Sequence, residues 1–282
     1  MKYNFAAFIL THGRPDKVYT YNTLRRQGYT GKVYIVIDDE DAAGDEYRKR
    51  FGDDVLVFNK DEIAKSFDLG DNFTDKRGVI VYARNACFEL AKKMGVEYFI
   101  QLDDDYTNVY FKFDGELKYK EKQVKNLDRI FEIMVDFYVK CGDMCKTLAM
   151  AQNGDFIGGG DGTFGKAIAL KRKAMNTFIC SVNRPFKFVG RINEDVNTYT
   201  SENYRGMLFL SFSQVSMKQK LTQSNSGGMT EVYLESGTYL KSFYSVMYHP
   251  SGVRVKLMNS KNSRLHHAIC WNATAPRIVR EG

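Results

Sequence analysis

Short apolar runs alternate with amphipathic segments along the N-terminal part of the chain. The runs of strand length are Asn4–Leu10, Val33–Ile37, Val55–Phe58 and Tyr98–Leu102. Two amphipathic segments predict helices, one from Asp16 to Gly28 and one from Gly78 to Met94. Strand, helix and strand in alternation predict a parallel sheet with right-handed crossovers.

The second half of the chain carries a less regular pattern. An apolar stripe predicts a helix over Lys118–Lys140, and Asn193 is expected to cap a further helix that begins at Glu194. An aromatic-rich helix is predicted over Gly237–Tyr248, ahead of Pro250. The segments with strand character are Thr147–Ala151, Ala167–Leu170, Met207–Lys218 and Val253–Leu257. The length of 282 residues allows one large domain or two small ones, and the pattern predicts an α/β class.

Composition narrows the class of protein. Apolar residues make up 44% of the chain and aromatic residues 14%, which is enough to fill a core and excludes global disorder. No run approaches the roughly 20 apolar residues of a membrane span, and the N-terminal apolar run lacks the features of a signal peptide. Five cysteines at irregular spacings predict free thiols in a cytoplasmic protein rather than a disulfide framework or a zinc site. A net charge of +7 and a pI of about 9.0 favour a polyanionic partner, without excluding an enzyme with a mildly basic surface.

Three consecutive aspartates, Asp103, Asp104 and Asp105, follow the apolar run Tyr98–Leu102. Carboxylates at the end of a buried strand repel one another and lose hydration, so the cluster requires a compensating cation. Side chains alternate along a strand, which lets Asp103 and Asp105 face one side while Asp104 points away. Two converging carboxylates suit Mg²⁺ or Mn²⁺, with diphosphate oxygens as further ligands. The alternative is an acidic surface turn, because aspartate also favours turns.

Two other polar segments are predicted to lie at the same sheet edge. The loop Thr11–Pro15 ends the first strand, and Asp38 ends the second. Ligands of an open α/β sheet bind outside the carboxyl ends of its strands. Backbone N–H groups and Arg14 would suit phosphate, and Asp38 would suit a ribose or base. The sequence has no P-loop and no dinucleotide fingerprint, and the glycine-rich stretch Gly158–Gly165 lacks the context of a phosphate site.

Candidates also occur late in the chain. Glu194 and Asp195 open a predicted helix, where carboxylates often only complement the helix dipole. The alternative is that one of them is a general base in the cleft. His266 and His267 are candidates for a third metal ligand, although a single histidine is more often a surface or core residue.

The order of these elements resembles that of the nucleotide-sugar glycosyltransferases of the GT-A fold. The elements are Thr11–Pro15, Ala83–Arg84–Asn85 on the helix before the acidic strand end, Asp103–Asp105, Asn193–Asp195 and a C-terminal histidine. In that class an Asp-x-Asp element holds Mn²⁺ or Mg²⁺ on the nucleotide diphosphate, and a later Glu-Asp element addresses the acceptor. Within the class the chain looks most like the phage TET-associated glycosyltransferases, which are thought to glycosylate hydroxymethylated pyrimidines in DNA.

The resemblance implies a fold and a division of labour. We expect one GT-A-like domain over residues 1–282, with a mixed, mostly parallel central sheet flanked by helices. Residues 1–110 would bind the nucleotide sugar, and residues 111–282 would bind the acceptor.

The resemblance also implies roles for individual residues. The residues implied to bind the nucleotide sugar are Thr11, His12, Gly13, Arg14, Asp38, Arg84, Asp103 and Asp104. The residues implied to hold the metal are Asp103, Asp105, His266 and His267. Asp195 or Glu194 would take the proton of the acceptor hydroxyl if the reaction inverts the sugar configuration. If the reaction retains configuration, Asp195 would only orient the acceptor.

The implied partners are a nucleotide sugar, most simply a UDP-sugar, and a DNA acceptor that carries 5-hydroxymethylcytosine, in the host cytoplasm if a phage encodes the protein. Three alternatives stay open. The first is transfer to a protein or glycan. The second is a nucleotidyltransferase, against which the missing glycine-rich, lysine-bearing N-terminal loop argues. The third is a DNA-binding module without chemistry, but the sequence has no helix-turn-helix, zinc or RRM signature.

Overall fold

The computed structural model describes residues 2–72, 78–152, 168–220, 239–258 and 264–276. The strands are β1 (Phe5–Leu10), β2 (Lys32–Asp38), β3 (Val55–Phe58), β4 (Tyr98–Asp103), β5 (Tyr106–Phe113), β6 (Tyr119–Gln123), β7 (Cys145–Gln152), β8 (Ile168–Ala169), β9 (Thr177–Ser181), β10 (Leu208–Gln219), β11 (Val253–Met258) and β12 (Arg264–Ile269). The helices are α1 (Tyr19–Arg26), α2 (Gly44–Phe51), α3 (Lys60–Ala64), α4 (Val81–Lys93), α5 (Leu127–Lys140), α6 (Glu194–Tyr204), α7 (Leu240–Tyr248) and α8 (Trp271–Thr274). The glycine-rich stretch Gly158–Gly165 lies outside the described residues.

Ten of these strands form one mixed sheet. Nine of them follow the order β3-β2-β1-β4-β9-β7-β10-β5-β6, and β8 pairs with β10. The neighbours from β3 to β4 are parallel, whereas β9 and β5 run antiparallel to their partners. The predicted class, α/β with a mixed sheet flanked by helices, is confirmed.

Helices cover both faces of the sheet because the central strands are apolar on both sides. Along β1, Phe8 belongs to a core with α4 and α6, and Ile9 belongs to a second core with α1 and α5. Both side chains are fully buried. Burial of each such side chain contributes about 1.5–3 kcal/mol relative to exposure. Because both faces of the sheet are packed against helices, the carboxyl ends of its strands are held in place.

Two predicted helix starts are wrong. The segment Tyr119–Gln123 forms the exposed edge strand β6 rather than the first turns of a helix, because its backbone pairs with β5. The helix begins only at Leu127, where the side chain of Asn126 accepts a hydrogen bond from the N–H of Arg129. Near the N-terminus, Pro15–Lys17 forms a 3₁₀ turn, and α1 begins at Tyr19 instead of at Asp16.

The last described elements are α7, the antiparallel pair of β11 and β12, and α8. We refer to the pair of β11 and β12 as the hairpin. Val253 lies opposite Ile269, and Val255 lies opposite His267. The hairpin packs on α7, and α7 packs on α6. The C-terminal elements thus lie beside the start of α6, where the second predicted acidic pair is located.

Candidate active site

Three strand ends meet at one edge of the sheet. β1 lies between β2 and β4, and Leu10 at its end is opposite both Val36 and Asp103. The loop that starts at Thr11 therefore lies between the end of β2 at Asp38 and the end of β4. This juxtaposition was predicted from the rule that parallel strands place their carboxyl ends together.

Asp104 is turned inward and holds the loop after β1. Its side chain is buried, and its Oδ2 accepts hydrogen bonds from the Thr11 hydroxyl (2.6 Å) and from Nε of Arg14 (2.6 Å). The Tyr47 hydroxyl closes the cluster, because it shares a hydrogen bond with the Thr11 hydroxyl and accepts one from the N–H of Arg14, both at 2.9 Å. Asp104 thus has partners different from that of Asp103, which is bound by Arg84. The charge of Asp104 is already compensated by Arg14.

A second cluster forms around Asp38. Its Oδ2 lies 2.8 Å from Nδ1 of His12, and its Oδ1 lies 2.7 Å from Nζ of the buried Lys60. Burial alone would raise the pKa of Asp38, but the hydrogen bonds from His12 and Lys60 lower it to about 2. Because Asp38 accepts this hydrogen bond from His12, it raises the pKa of His12. Asp41 accepts the N–H of Gly13 at 2.8 Å, so both ends of the loop are anchored.

Arg84 joins the acidic strand end to the acidic helix start. It is 1% exposed, and it donates from Nη2 to Asp103 at 3.0 Å and from Nε to Glu194 at 2.9 Å. Its guanidinium lies over the ring of Phe178, 4.9 Å from the centroid. Burial alone would raise the pKa of Asp103 strongly, and Arg84 lowers it again, which leaves that pKa raised to about 7. Residues 110 positions apart in sequence, Arg84 and Glu194, are therefore joined in a single charged unit.

Asp105 differs from Asp103 and Asp104 in that no cation of the described residues forms an ion pair with it. Gln219 donates to its Oδ2 at 3.1 Å, and its Oδ1 is buried without a hydrogen-bond partner among the described residues. Burial raises the pKa of Asp105. An orphaned carboxylate oxygen in such a position costs free energy unless a ligand or ion completes it.

The start of α6 differs from the expectation. Asn193 has a left-handed backbone (φ +62°) and makes no side-chain cap; its amide instead donates to the Ser245 hydroxyl at 2.6 Å. Glu194 and Asp195 are both buried. Burial, reinforced by the neighbouring Glu194, raises the pKa of Asp195 to about 7. The two carboxylates are therefore distinct, because Glu194 is held by Arg84 and Asp195 is not.

The two histidines occupy different places on the hairpin. His267 is buried, and its Nδ1 lies 3.4 Å from the Asn193 amide nitrogen. Its Nε2 has no hydrogen-bond partner among the described residues, and burial lowers its pKa to about 3. His266 is half-buried on the opposite face of the strand. His267 is thus the histidine that lies beside the acidic helix start, held neutral as a metal ligand must be.

The fit of a divalent metal rests on the orphaned atoms. The described part of the chain contains no preformed cluster of three or more His, Cys, Asp or Glu side chains arranged to hold a metal ion. Asp105 nevertheless supplies a free hard oxygen donor, and His267 supplies a neutral imidazole nitrogen. Oxygen donors with one imidazole suit Mg²⁺ or Mn²⁺. The residues fit the ion chemically, and their closing around it would require the diphosphate or a side-chain movement.

Sequence reasoning missed two residues that build the site. Lys60 follows β3, and Phe58 at the end of β3 is opposite Asp38. The rule that located Thr11 and Asp38 also locates Lys60, so a signal was present. Tyr47 lies inside α2, and no feature of the sequence distinguishes it from an ordinary core tyrosine.

The family model of the TET-associated glycosyltransferases matches residues 5–228. The chain belongs to this family. It is therefore a glycosyltransferase, as the order of motifs implied, and the GT-A-like fold class implied by the same resemblance agrees with this membership. No match is found among curated protein sequences.

Solved structures similar to this TET-associated glycosyltransferase are distant. Glucosyl-3-phosphoglycerate synthase from Mycobacterium tuberculosis, in complex with Mg²⁺ and UDP, is 9% identical, with 95% of this chain and 88% of that chain covered and a TM-score of 0.46. A cytidylyltransferase from Leptospira borgpetersenii is 14% identical, with 87% of each chain covered and a TM-score of 0.39. TarS 1–349 from S. aureus is 13% identical, with 86% of this chain and 65% of that chain covered and a TM-score of 0.40. At these values the solved structures carry no functional argument.

Among the described residues of this family member, no helix has the length and apolar character needed to cross a membrane. The five cysteines are all free.

Proposed function

We propose that the protein transfers a sugar from a nucleotide-sugar donor, most simply a UDP-sugar, to the hydroxyl of a 5-hydroxymethylpyrimidine in DNA, with Mg²⁺ or Mn²⁺. The observation that supports this is the edge where Asp38, the Thr11 loop and Asp103–Asp105 meet and are joined to Glu194 by the buried Arg84. On this proposal the donor site and the acceptor acid are linked to each other through Arg84.

The donor would bind over the loop after β1. The half-exposed His12 and the anchored Asp38 would contact the base or ribose, and the partly exposed guanidinium of Arg14 would face phosphate. The backbone N–H groups of Thr11, Gly13 and Arg14 already donate within the protein, so they would support the loop instead. The contacts of Thr11 and Asp104 are internal, so these two residues would support the loop rather than touch the nucleotide. On this proposal residues 1–110 form the donor half.

A divalent ion would be held by Asp105 and Asp103, with His267 as a further ligand. When bound, such an ion would neutralise charge on the departing diphosphate. Arg84 would act on that charge through Asp103, since its guanidinium is enclosed between two carboxylates. Because Arg84 is buried, we propose that it links Asp103 to Glu194 and does not itself contact the substrate.

Asp195 would act on the acceptor. Its pKa of about 7 suits a general base near neutral pH. In an inverting reaction the proton of the acceptor hydroxyl passes to Asp195, the hydroxyl oxygen bonds to C1 of the sugar, and the C1–O bond to the diphosphate breaks with its electron pair. Glu194, which accepts a hydrogen bond from Arg84, would fix the start of α6 on which Asp195 lies. In a retaining reaction Asp195 would orient the acceptor only.

The test is a transfer assay with duplex and single-stranded DNA that contains 5-hydroxymethylcytosine. The protein, Mn²⁺ and a panel of nucleotide sugars are incubated with each DNA. The DNA is then digested to nucleosides, whose masses are measured by mass spectrometry. We expect the mass of one hexose or pentose on hydroxymethylcytosine, together with release of a nucleoside diphosphate. Cytosine DNA without the hydroxymethyl group is the matched acceptor control.

Variants test the residue roles in the same assay. Asp195→Asn should lose transfer, and Asp45→Asn, which makes the same change at an exposed position on α2, should not. Release of pyrophosphate would support a nucleotidyltransferase instead. Transfer to a protein or glycan but not to DNA would keep the glycosyltransferase and overturn the acceptor.

A further inference from the structure

The net positive charge of the chain comes from its C-terminal segment, because that segment has basic residues without acidic ones. The segment from Tyr239 to Arg280 contains seven lysines and arginines and no aspartate or glutamate. Its charge equals the net charge of +7 of the whole chain, so the remaining residues are balanced. This segment lies outside the residues 5–228 that match the family. A segment that carries positive charge without acidic residues is typical of proteins that contact nucleic acid.

The hairpin places part of this charge on one face. Arg254 and Lys256 are exposed and alternate along β11 with Val253 and Val255, which are buried and half-buried. Alternate residues of a strand point to the same side, so the two cations stand side by side, about 7 Å apart. In the described chain neither cation forms an ion pair with an acidic side chain. The outer face of the hairpin is thus basic and uncompensated.

The inner face of the same hairpin reaches the candidate active site. His267 lies opposite Val255, and its ring approaches the amide of Asn193, which directly precedes Glu194. The outer cations therefore lie on the face of the hairpin opposite to the one that contacts the residue before α6. A polyanion held on the outer face would run past the mouth of the acceptor site.

The cleft itself is unsuited to hold DNA phosphates. The cleft contains five acids: Asp103, Asp104, Asp105, Glu194 and Asp195. Within the described ranges of the chain, Arg14 and Arg84 are the cations that form ion pairs with them. Phosphates would be repelled from such a surface, so an acceptor in DNA requires cations beside the cleft. The hairpin supplies them.

We infer that the hairpin of β11 and β12 is an acceptor-DNA binding arm, in which Arg254 and Lys256 contact backbone phosphates next to the target base. The inference rests on the proposed DNA acceptor. Leu257 and Leu265 extend the inner face of the hairpin past His267; they lie opposite each other and are 60% and 39% exposed. Proteins that take a base out of the stack commonly insert an apolar side chain at the base step. The leucine pair fills that role beside the flipped base.

The first experiment measures binding of fluorescently labelled duplex DNA with 5-hydroxymethylcytosine, by anisotropy over a range of salt concentrations. The slope of log affinity against log salt is negative, and each phosphate contact contributes about 0.9 to its magnitude. Arg254→Gln/Lys256→Gln should therefore make the slope shallower by about 2. The control is Lys92→Gln/Lys93→Gln, which removes two exposed lysines at the opposite edge of the sheet. It should keep the wild-type slope. Thermal unfolding checks that both variants are folded.

The outcomes separate this inference from the proposed function. If the wild type glycosylates hydroxymethylcytosine DNA and the hairpin variant keeps the wild-type affinity and slope, the arm is overturned while the function stands. If the wild type neither binds nor glycosylates DNA, the acceptor proposal fails, and the arm fails with it. A slope that falls equally in the control variant would also overturn the arm, because the effect would then belong to net charge alone.

The second experiment tests the leucine pair. Leu257→Ala/Leu265→Ala should lower kcat/KM for transfer to duplex DNA by about tenfold or more, because extrusion of a base from a duplex has to overcome stacking and pairing. Transfer to single-stranded DNA of the same sequence needs no extrusion and should change much less. An equal loss on both substrates would exclude the wedge.

Discussion

Replacement of Arg84 by methionine is the sharpest test of how the site is held together. Arg84 is the buried bracket between Asp103 and Glu194, with contacts of 3.0 and 2.9 Å. Methionine keeps much of the side-chain volume against Phe178 but removes the charge and both hydrogen bonds. The variant leaves two buried carboxylates without their cation, which costs more than the loss of the contacts themselves.

The magnitude follows from the two contacts. Loss of one partner of a buried ion pair destabilises by about 3–5 kcal/mol. A chain of 282 residues has an unfolding entropy of about 0.6 kcal/mol/K, so Arg84→Met should lower Tm by about 5–8 °C at pH 8. Arg48→Met removes an exposed arginine that is paired with an exposed aspartate, and it should leave Tm unchanged.

The loss of stability in Arg84→Met should depend on pH, because Asp103 titrates near neutral pH. The pKa of Asp103 in the folded protein is about 7, above its ordinary value of 3.8, so the folded state takes up a proton as pH falls. Without Arg84 that pKa rises further, so the folded variant takes up its proton, and gains stability, already between pH 8 and about 7, where the wild type gains less. Below about 7 the two proteins gain stability at a similar rate. The deficit should therefore shrink between pH 8 and pH 5.5 in urea unfolding. A deficit that is equal at both pH values, or one below about 1 kcal/mol at pH 8, would refute the buried-bracket reasoning.

Four further predictions concern three carboxylates. Asp105→Asn should abolish sugar transfer while leaving Tm close to that of the wild type, and unchanged turnover with Mn²⁺ would remove Asp105 from the metal site. Because the pKa of Asp195 is about 7 and a base must be ionised, the transfer rate should rise with pH up to about 7; a flat profile from pH 5.5 to 8 would contradict the assignment. Asp195→Asn should lower kcat by roughly 10²–10⁴-fold in the mass-spectrometric assay. Asp38→Asn should cost about 2 kcal/mol of unfolding free energy at pH 7, and the difference should vanish as pH falls through the interval from 3.8 to about 2, followed by urea titration.

The sheet edge could be predicted because parallel strands obey a local rule. Apolar runs located β1, β2 and β4, and their shared direction brought Thr11, Asp38 and Asp103 together without knowledge of any side-chain contact. The same reasoning, applied to β3, would have added Lys60. Patterns of period two and of helical period carry this information in the sequence itself.

The pairings across the site could not be predicted in that way. The sequence placed Arg84 on the helix before the acidic strand end, but it did not show that the side chain is buried and donates to Glu194. Asn193 was expected to cap a helix, yet its left-handed backbone turns its amide towards Ser245 on α7. Both outcomes depend on partners more than fifty positions away in sequence. Local propensity is overridden by such tertiary contacts.

The three aspartates show how the contacts narrow a hypothesis drawn from sequence. Their mutual repulsion was an argument for one external cation, but the fold already supplies two internal ones. Arg14 neutralises Asp104, and Arg84 neutralises Asp103 against Glu194. The repulsion that is left resides on Asp105, whose Oδ1 has no partner among the described residues. On the proposed function an external ion would complete Asp105 in particular. We therefore expect metal affinity to fall far more in Asp105→Asn than in Asp104→Asn, whereas Asp104→Asn should cost more stability because it releases the loop after β1.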